Sequence, residues 1–153
     1  MDNMLQMAKY KNQGFYCSQI LLLMGLDLLG KENPDLVRAM NSLAGGIGFN
    51  GLCCGAVTGA ACLLGLYAGR GKPEEEDDER LNLMLIDLVD WFKGNIGEQY
   101  GGINCDDILE GKRENYPLRC PFIVDSVFQK CKELLVDYGF DLKTQRESIG
   151  SEA

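Results

Sequence analysis

Seven cysteines and no histidine set the chemistry open to this chain of 153 residues: Cys17, Cys53, Cys54, Cys62, Cys105, Cys120 and Cys131. The absence of histidine removes the commonest general base, the commonest zinc and copper ligand, and the CxxCH attachment of a c-type haem. Thiolates remain as soft ligands, suited to iron–sulfur clusters and zinc, or as redox groups in their own right. Cys17, Cys54, Cys105 and Cys120 share one predicted feature: each falls at or near the start of a helix. A helix start presents unpaired N–H donors and the positive end of the macrodipole. Both favour an anion, and a thiolate is one. Four such ends on one spot would make a four-cysteine metal site. The bland alternative is four unrelated residues tolerated at helix starts. Spacing does not decide, because no CxxC pair is present and neither a zinc ribbon nor a ferredoxin-type run can be read.

The stretch from Gly45 to Gly59 is the centre of the chain, and no charged side chain occurs between Arg38 and Arg70. A glycine-rich turn here feeds an apolar helix predicted over about 52–68, with Cys53 and Cys54 in its first turn. Gly46, Gly48, Gly51 and Gly55 are the expected cofactor-binding positions, where backbone N–H groups could approach cluster sulfurs. Cys54 is expected as a thiolate with a lowered pKa. A Cys53–Cys54 disulfide would need a strained peptide and is disfavoured. Cys62 and Cys131 fall on apolar helical faces and read as core. Gly46-Ile47-Gly48-Phe49-Asn50-Gly51 matches G-x-G-x-x-G, but no strand precedes it and no ribose-binding acid follows at the right distance, so dinucleotide binding is not inferred. Gly51, Gly55 and Gly59 also resemble a membrane GxxxG face, and membrane association of residues 52–69 stays open as an alternative to a buried core helix.

The elements that must position these residues read as helices. Met4, Leu5 and Ala8 recur at helical spacing; a second helix is expected from about Phe15 to Leu29, ended by Gly30. Asn33-Pro34-Asp35 is an N-cap, a proline at N1 and an acid in the first turn, starting a helix that stops at Gly45-Gly46. The acidic run Glu74 to Glu79 reads as acids against the start of the next helix, whose core face carries Leu81, Leu85, Leu88, Phe92 and Ile96, with Trp91 adjoining it. Asn104 would cap a short turn with Cys105 at N1. Cys120-Pro121 would place Cys120 at the N-cap of the last helix. No strand alternation or repeat is visible, so the fold class is all-α: a compact bundle of about five helices around a Gly-rich hydrophobic central helix. Residues 1–143 read as one domain and 144–153 as a frayed tail.

A net charge of −8 argues against a nucleic-acid partner. No secretory signal is read at the start, so a reducing cytoplasm is the expected compartment, where several cysteines more often mean metal or redox chemistry than staples.

Phe15-Tyr16-Cys17-Ser18-Gln19, Gly45-Gly46-Ile47-Gly48, Cys54-Gly55-Ala56-Val57-Thr58-Gly59 with Gly65-Leu66 and Gly69, Tyr100-Gly101 before Cys105, and Cys120 together resemble the bacterial and archaeal C_GCAxxG_C_C proteins, described as redox-active. The likeness spans nearly the whole chain and carries over Cys17, Cys54, Cys105 and Cys120 as site residues. Cys53 takes the place before the key cysteine, and Cys62 and Cys131 are extras. The family is also similar to the non-haem part of split-Soret cytochromes, which implies an iron–sulfur cluster here without the haem. The leading expectation is therefore iron–sulfur cluster binding and electron transfer to a protein redox partner, with a homodimer compatible. Two rivals stand beside it: a dithiol/disulfide oxidoreductase with Cys54 as reactive thiolate, and a non-catalytic helical module with structural zinc or disulfides.

Overall fold

The computed structural model describes residues 2–146 and, among these, contains helices and no strand. Helix α1 (Asn3–Asn12) begins at Asp2, whose side chain accepts from the Met4 N–H. Helix α2 (Cys17–Leu29) starts where Gln19 turns back to accept from the Tyr16 N–H, and ends at Gly30 in the left-handed region. Helix α3 (Pro34–Met40) has the expected cap: the Asn33 side chain accepts from the Leu36 N–H and Pro34 occupies the first turn. It ends at Met40 and tightens into a 3-10 turn, Asn41–Leu43, short of the two glycines.

Helix α4 (Gly55–Ala68) is the central one, packed by α2 on one side and by α5 (Glu79–Phe92) and α7 (Tyr116–Asp137) on the others. Leu63, Leu64 and Tyr67 of α4 are fully enclosed with Leu21 and Met24 of α2, Met84, Leu88 and Phe92 of α5, and Val127, Phe128 and Leu135 of α7. Leu81 and Leu85 of the expected α5 stripe are only partly buried, because Met84 takes the central place between them. Trp91 packs against the core from its edge, as read. Helix α5 runs on through a π turn, Lys93–Gly97, into a last helical turn, Glu98–Tyr100. The short α6 (Cys105–Leu109) follows. The acidic run serves the turn before α5: Asp78 accepts from the Arg80 N–H, and the Glu75 carboxylate accepts from the N–H groups of Gly71 and Lys72 at 2.8 and 2.7 Å.

Small residues bring α2 and α4 together. A Cβ on Gly59 would stand 2.9 Å from the Ser18 carbonyl oxygen and 3.0 Å from its Cα. Gly59→Ala is expected to force this crossing apart and to cost about 2–3 kcal/mol, read as a lower denaturation midpoint.

One expectation is corrected here. The last helix begins one turn early, because Pro117 rather than Pro121 occupies its first turn; Pro121 lies inside the helix and Cys120 is no longer a cap. Beyond α7 the Gln145 side chain donates to the Leu66 carbonyl and the Arg146 N–H to that of Tyr67. Residues 147–153 lie outside the described residues. No helix among the described residues is long and apolar enough to cross a membrane.

Candidate four-cysteine site

Four elements converge on one end of α4. Cys17 is the first residue of α2, Cys54 the N-cap of α4, Cys105 the first residue of α6, and Cys120 stands in the second turn of α7. Three of the four therefore keep the helix-start placement read from sequence. The approach of Cys54 to Cys105 is made by backbone. The Cys54 N–H donates to the Ile103 carbonyl at 3.0 Å, Cys105 N–H to Leu52 at 2.6 Å, and Asp106 N–H to Gly51 at 3.2 Å. Cys120 is drawn in from α7 by two links to α6: Arg119 Nη1 donates to the Ile108 carbonyl at 2.6 Å and Asn115 Nδ2 to that of Leu109 at 2.9 Å. On the α2 side, Ser18 Oγ donates to the Met40 carbonyl and Gln19 Nε2 to that of Val37, fixing the end of α3 and the loop after it.

That loop is left-handed. Residues 45–49 all have positive φ, including Ile47 at 63° and Phe49 at 64°, and the run is closed by the Gly51 N–H on the Gly45 carbonyl and the Leu52 N–H on that of Gly46. Each of the four glycines expected to meet a cofactor has its own surroundings. Gly46 lies against the Leu52 backbone, and the Gly48 N–H is spent on the Ser42 carbonyl. Gly51 makes room for the Asp106 carboxylate. Gly55 makes room for Cys17, whose Sγ would be 2.8 Å from a Cβ there. The loop N–H that favours charge on a sulfur is instead that of Gly45, acting on Cys17 with that of Ser18.

All seven cysteines are free thiols. Cys17 and Cys54 are buried, Cys105 and Cys120 partly so. The four sit close enough to feel one another's charge: Cys17 acts on Cys54 and Cys120, Cys105 on Cys17 and Cys120, and Cys120 on Cys54. Burial is the largest influence on each. It pushes the Cys17 thiol up to about 11 and the Cys120 thiol up to about 12, and raises Cys105 as well. The thiolate expected at Cys54 is corrected here. Burial and the neighbouring Cys17 raise this thiol, and the N–H groups of Ala56 and Val57 at the start of α4 do not offset them. Cys131 is buried in the core and its thiol is pushed up to about 12; Cys62 is half-buried beside Leu22, Leu26, Val37 and Met40.

A free thiol in the unfolded chain titrates near 9.0, below these folded values. The folded chain thus keeps protons that the unfolded chain has lost. Stability of the metal-free protein is full below pH 9 and falls as pH rises toward about 11. Denaturant midpoints of the reduced, metal-free chain should therefore decline through that window, and alkylation of Cys54 at neutral pH should be slow.

Tyr116, the first residue of α7, was not foreseen from sequence. Burial raises its phenol, and it faces Cys17, Cys120 and the backbone N–H of Cys17. The signal was the Tyr116-Pro117 pair, which marks the helix start that Cys120-Pro121 was read to mark. A cavity of about 180 Å³ lies beside Cys17, Cys120 and Tyr116, walled by Met7, Ile20 and Val124.

A four-thiol, histidine-free donor set suits an iron–sulfur cluster. Among the described residues no group of three or more cysteine, aspartate or glutamate side chains is placed to hold a metal ion.

A small all-α domain thus brings four thiols from four elements to one end of α4. The chain belongs to the C_GCAxxG_C_C family, described as "putative redox-active protein", which matches residues 15–134. No curated protein and no solved structure matches the chain.

Proposed function

We propose that Cys17, Cys54, Cys105 and Cys120 hold an iron–sulfur cluster and that the protein transfers electrons. The observation that supports this reading is placement: backbone pairing sets Cys54 beside Cys105, Gly55 lies against the Cys17 Sγ, and Cys17 and Cys120 line one cavity. Such a cluster supplies reversible one-electron transfer when bound. The chain's part is to bind it by giving up four thiol protons, which makes loading more favourable as pH rises. Met7, Ile20 and Val124 make the Cys17–Cys120 side largely apolar. The N–H groups of Ser18 and Gly45 at Cys17, and of Ala56 and Val57 at Cys54, favour negative charge on the sulfurs. They would stabilise the reduced state and raise the potential.

The raised thiols weigh against the dithiol oxidoreductase reading, which needs Cys54 ionised near neutral pH. A potentiometric titration of anaerobically loaded protein is the test. A reversible one-electron wave is expected. Loaded protein with no wave at any accessible potential contradicts electron transfer.

A further inference from the structure

A second cavity, of about 380 Å³, has Cys105 in its wall and shares Tyr116 with the first. Its aromatic walls are Tyr16, Phe49 and Tyr116, and two cations, Lys112 and Arg113, stand on its rim. The Arg113 guanidinium lies 4.9 Å from the centre of the Phe49 ring, and the Tyr16 ring meets Phe49 edge-on at 5.2 Å. Among the described residues neither Lys112 nor Arg113 forms an ion pair. The Asp106 carboxylate is in the wall as well, its space made by Gly51.

Backbone strain gathers at this mouth. The non-glycine residues with positive φ among the described residues are Ile47, Phe49 and Glu110. Phe49 lines the cavity, Ile47 is two residues before it, and Glu110 turns the chain into Gly111, Lys112 and Arg113, all of which line it. Left-handed backbone is costly for a side chain with a Cβ and persists where something else requires it. Here it holds an aromatic ring 45% exposed at the edge of a cavity, where packing alone gives little return. Rings stack on rings, and a guanidinium with an ammonium attracts an anionic substituent even on a chain of net charge −8.

We infer that this cavity binds a small planar aromatic molecule carrying an anionic group, its ring against Phe49 and Tyr16 and its charge at Arg113 and Lys112. The pocket's chemistry stands by itself; its role as the place where a small electron partner meets Cys105 rests on the proposed cluster reading.

Anthraquinone-2-sulfonate, which is planar, anionic and not an alkylating quinone, is the probe. Calorimetric titration into the full chain, both metal-free and anaerobically loaded with iron, is expected to show one saturable site that weakens with salt. Arg113→Gln should weaken binding about tenfold, and 2-(hydroxymethyl)anthraquinone or sulfate alone should bind far less well than the probe. Phe49→Gly is the sharper variant: glycine suits the φ of 64° at this position, so the melting temperature should stay near the parent's while binding falls about tenfold. A probe that fails to bind, or that binds both variants as it binds the parent, overturns the inference. Binding to a chain that takes up no iron supports the pocket and removes only the cluster; iron uptake without binding removes only the pocket.

Discussion

A chain carrying Cys54→Ser should emerge from anaerobic loading with at least about tenfold less iron than the parent, and without its visible colour. The substitution is chosen to spare the fold. Position 54 is the N-cap of α4, where its carbonyl accepts from the N–H groups of Val57 and Thr58, and serine is a favoured residue at an N-cap. The hydroxyl differs from the thiol mainly in its poor affinity for iron, so iron content isolates the sulfur's role. Cys131→Ala provides the contrast. That thiol is fully buried among core residues and its Sγ lies 3.9 Å from the Ala60 carbonyl, away from the site. It should lose stability by about 1–2 kcal/mol and keep its iron. Parent-level iron in Cys54→Ser, or loss of iron in Cys131→Ala, would place the ligands elsewhere.

The second large effect is expected at Gly46. Its φ is 75°, and a Cβ there would stand 2.4 Å from both the nitrogen and the oxygen of Leu52. These are backbone atoms and cannot turn aside. Left-handed strain and the clash together should cost about 3 kcal/mol, which in a domain of this size lowers the melting temperature by about 10 °C. The damage should also reach the site, because Leu52 is part of the segment whose pairing with residues 103–106 sets Cys54 beside Cys105. Gly48→Ala separates strain from clash. Its φ is 59°, yet the nearest atom to a Cβ is Asn50 Nδ2 at 3.8 Å, so about 1 kcal/mol is expected and iron uptake should survive. Equal melting temperatures for the two variants would contradict the packing described at Gly46.

Much of this architecture is written locally in the chain. The Asn33-Pro34 start of α3, Gly30 after α2 and the bare face of α4 at Gly55 and Gly59 each follow from a few neighbouring residues, and each stands where local chemistry places it. Cys120 shows where local reading fails. Two prolines four residues apart both suit a helix start, and the helix takes the earlier one, with Asn115 and Arg119 bonded to the end of α6. The thiol at Cys54 shows a second limit. A helix start predicts a lowered pKa, but the degree of burial is a tertiary property and here it dominates. The left-handed run at 45–49 is a third: glycines at 45, 46 and 48 permit it, while Ile47 and Phe49 argue locally against it. Tyr116, Lys112 and Arg113 join the site only through the folding of α6 against α7, and no spacing along the chain connects them to Cys17 or Phe49.

The central claim is that four thiols distant in sequence share one iron–sulfur cluster. Its most direct test is the ratio of iron and acid-labile sulfide to protein in a chain isolated without exposure to air. The account predicts iron and sulfide in equal amounts, at roughly two to four of each per chain. Zinc at one per chain without sulfide, or a metal-free protein with all seven thiols open to alkylation after unfolding, would contradict it.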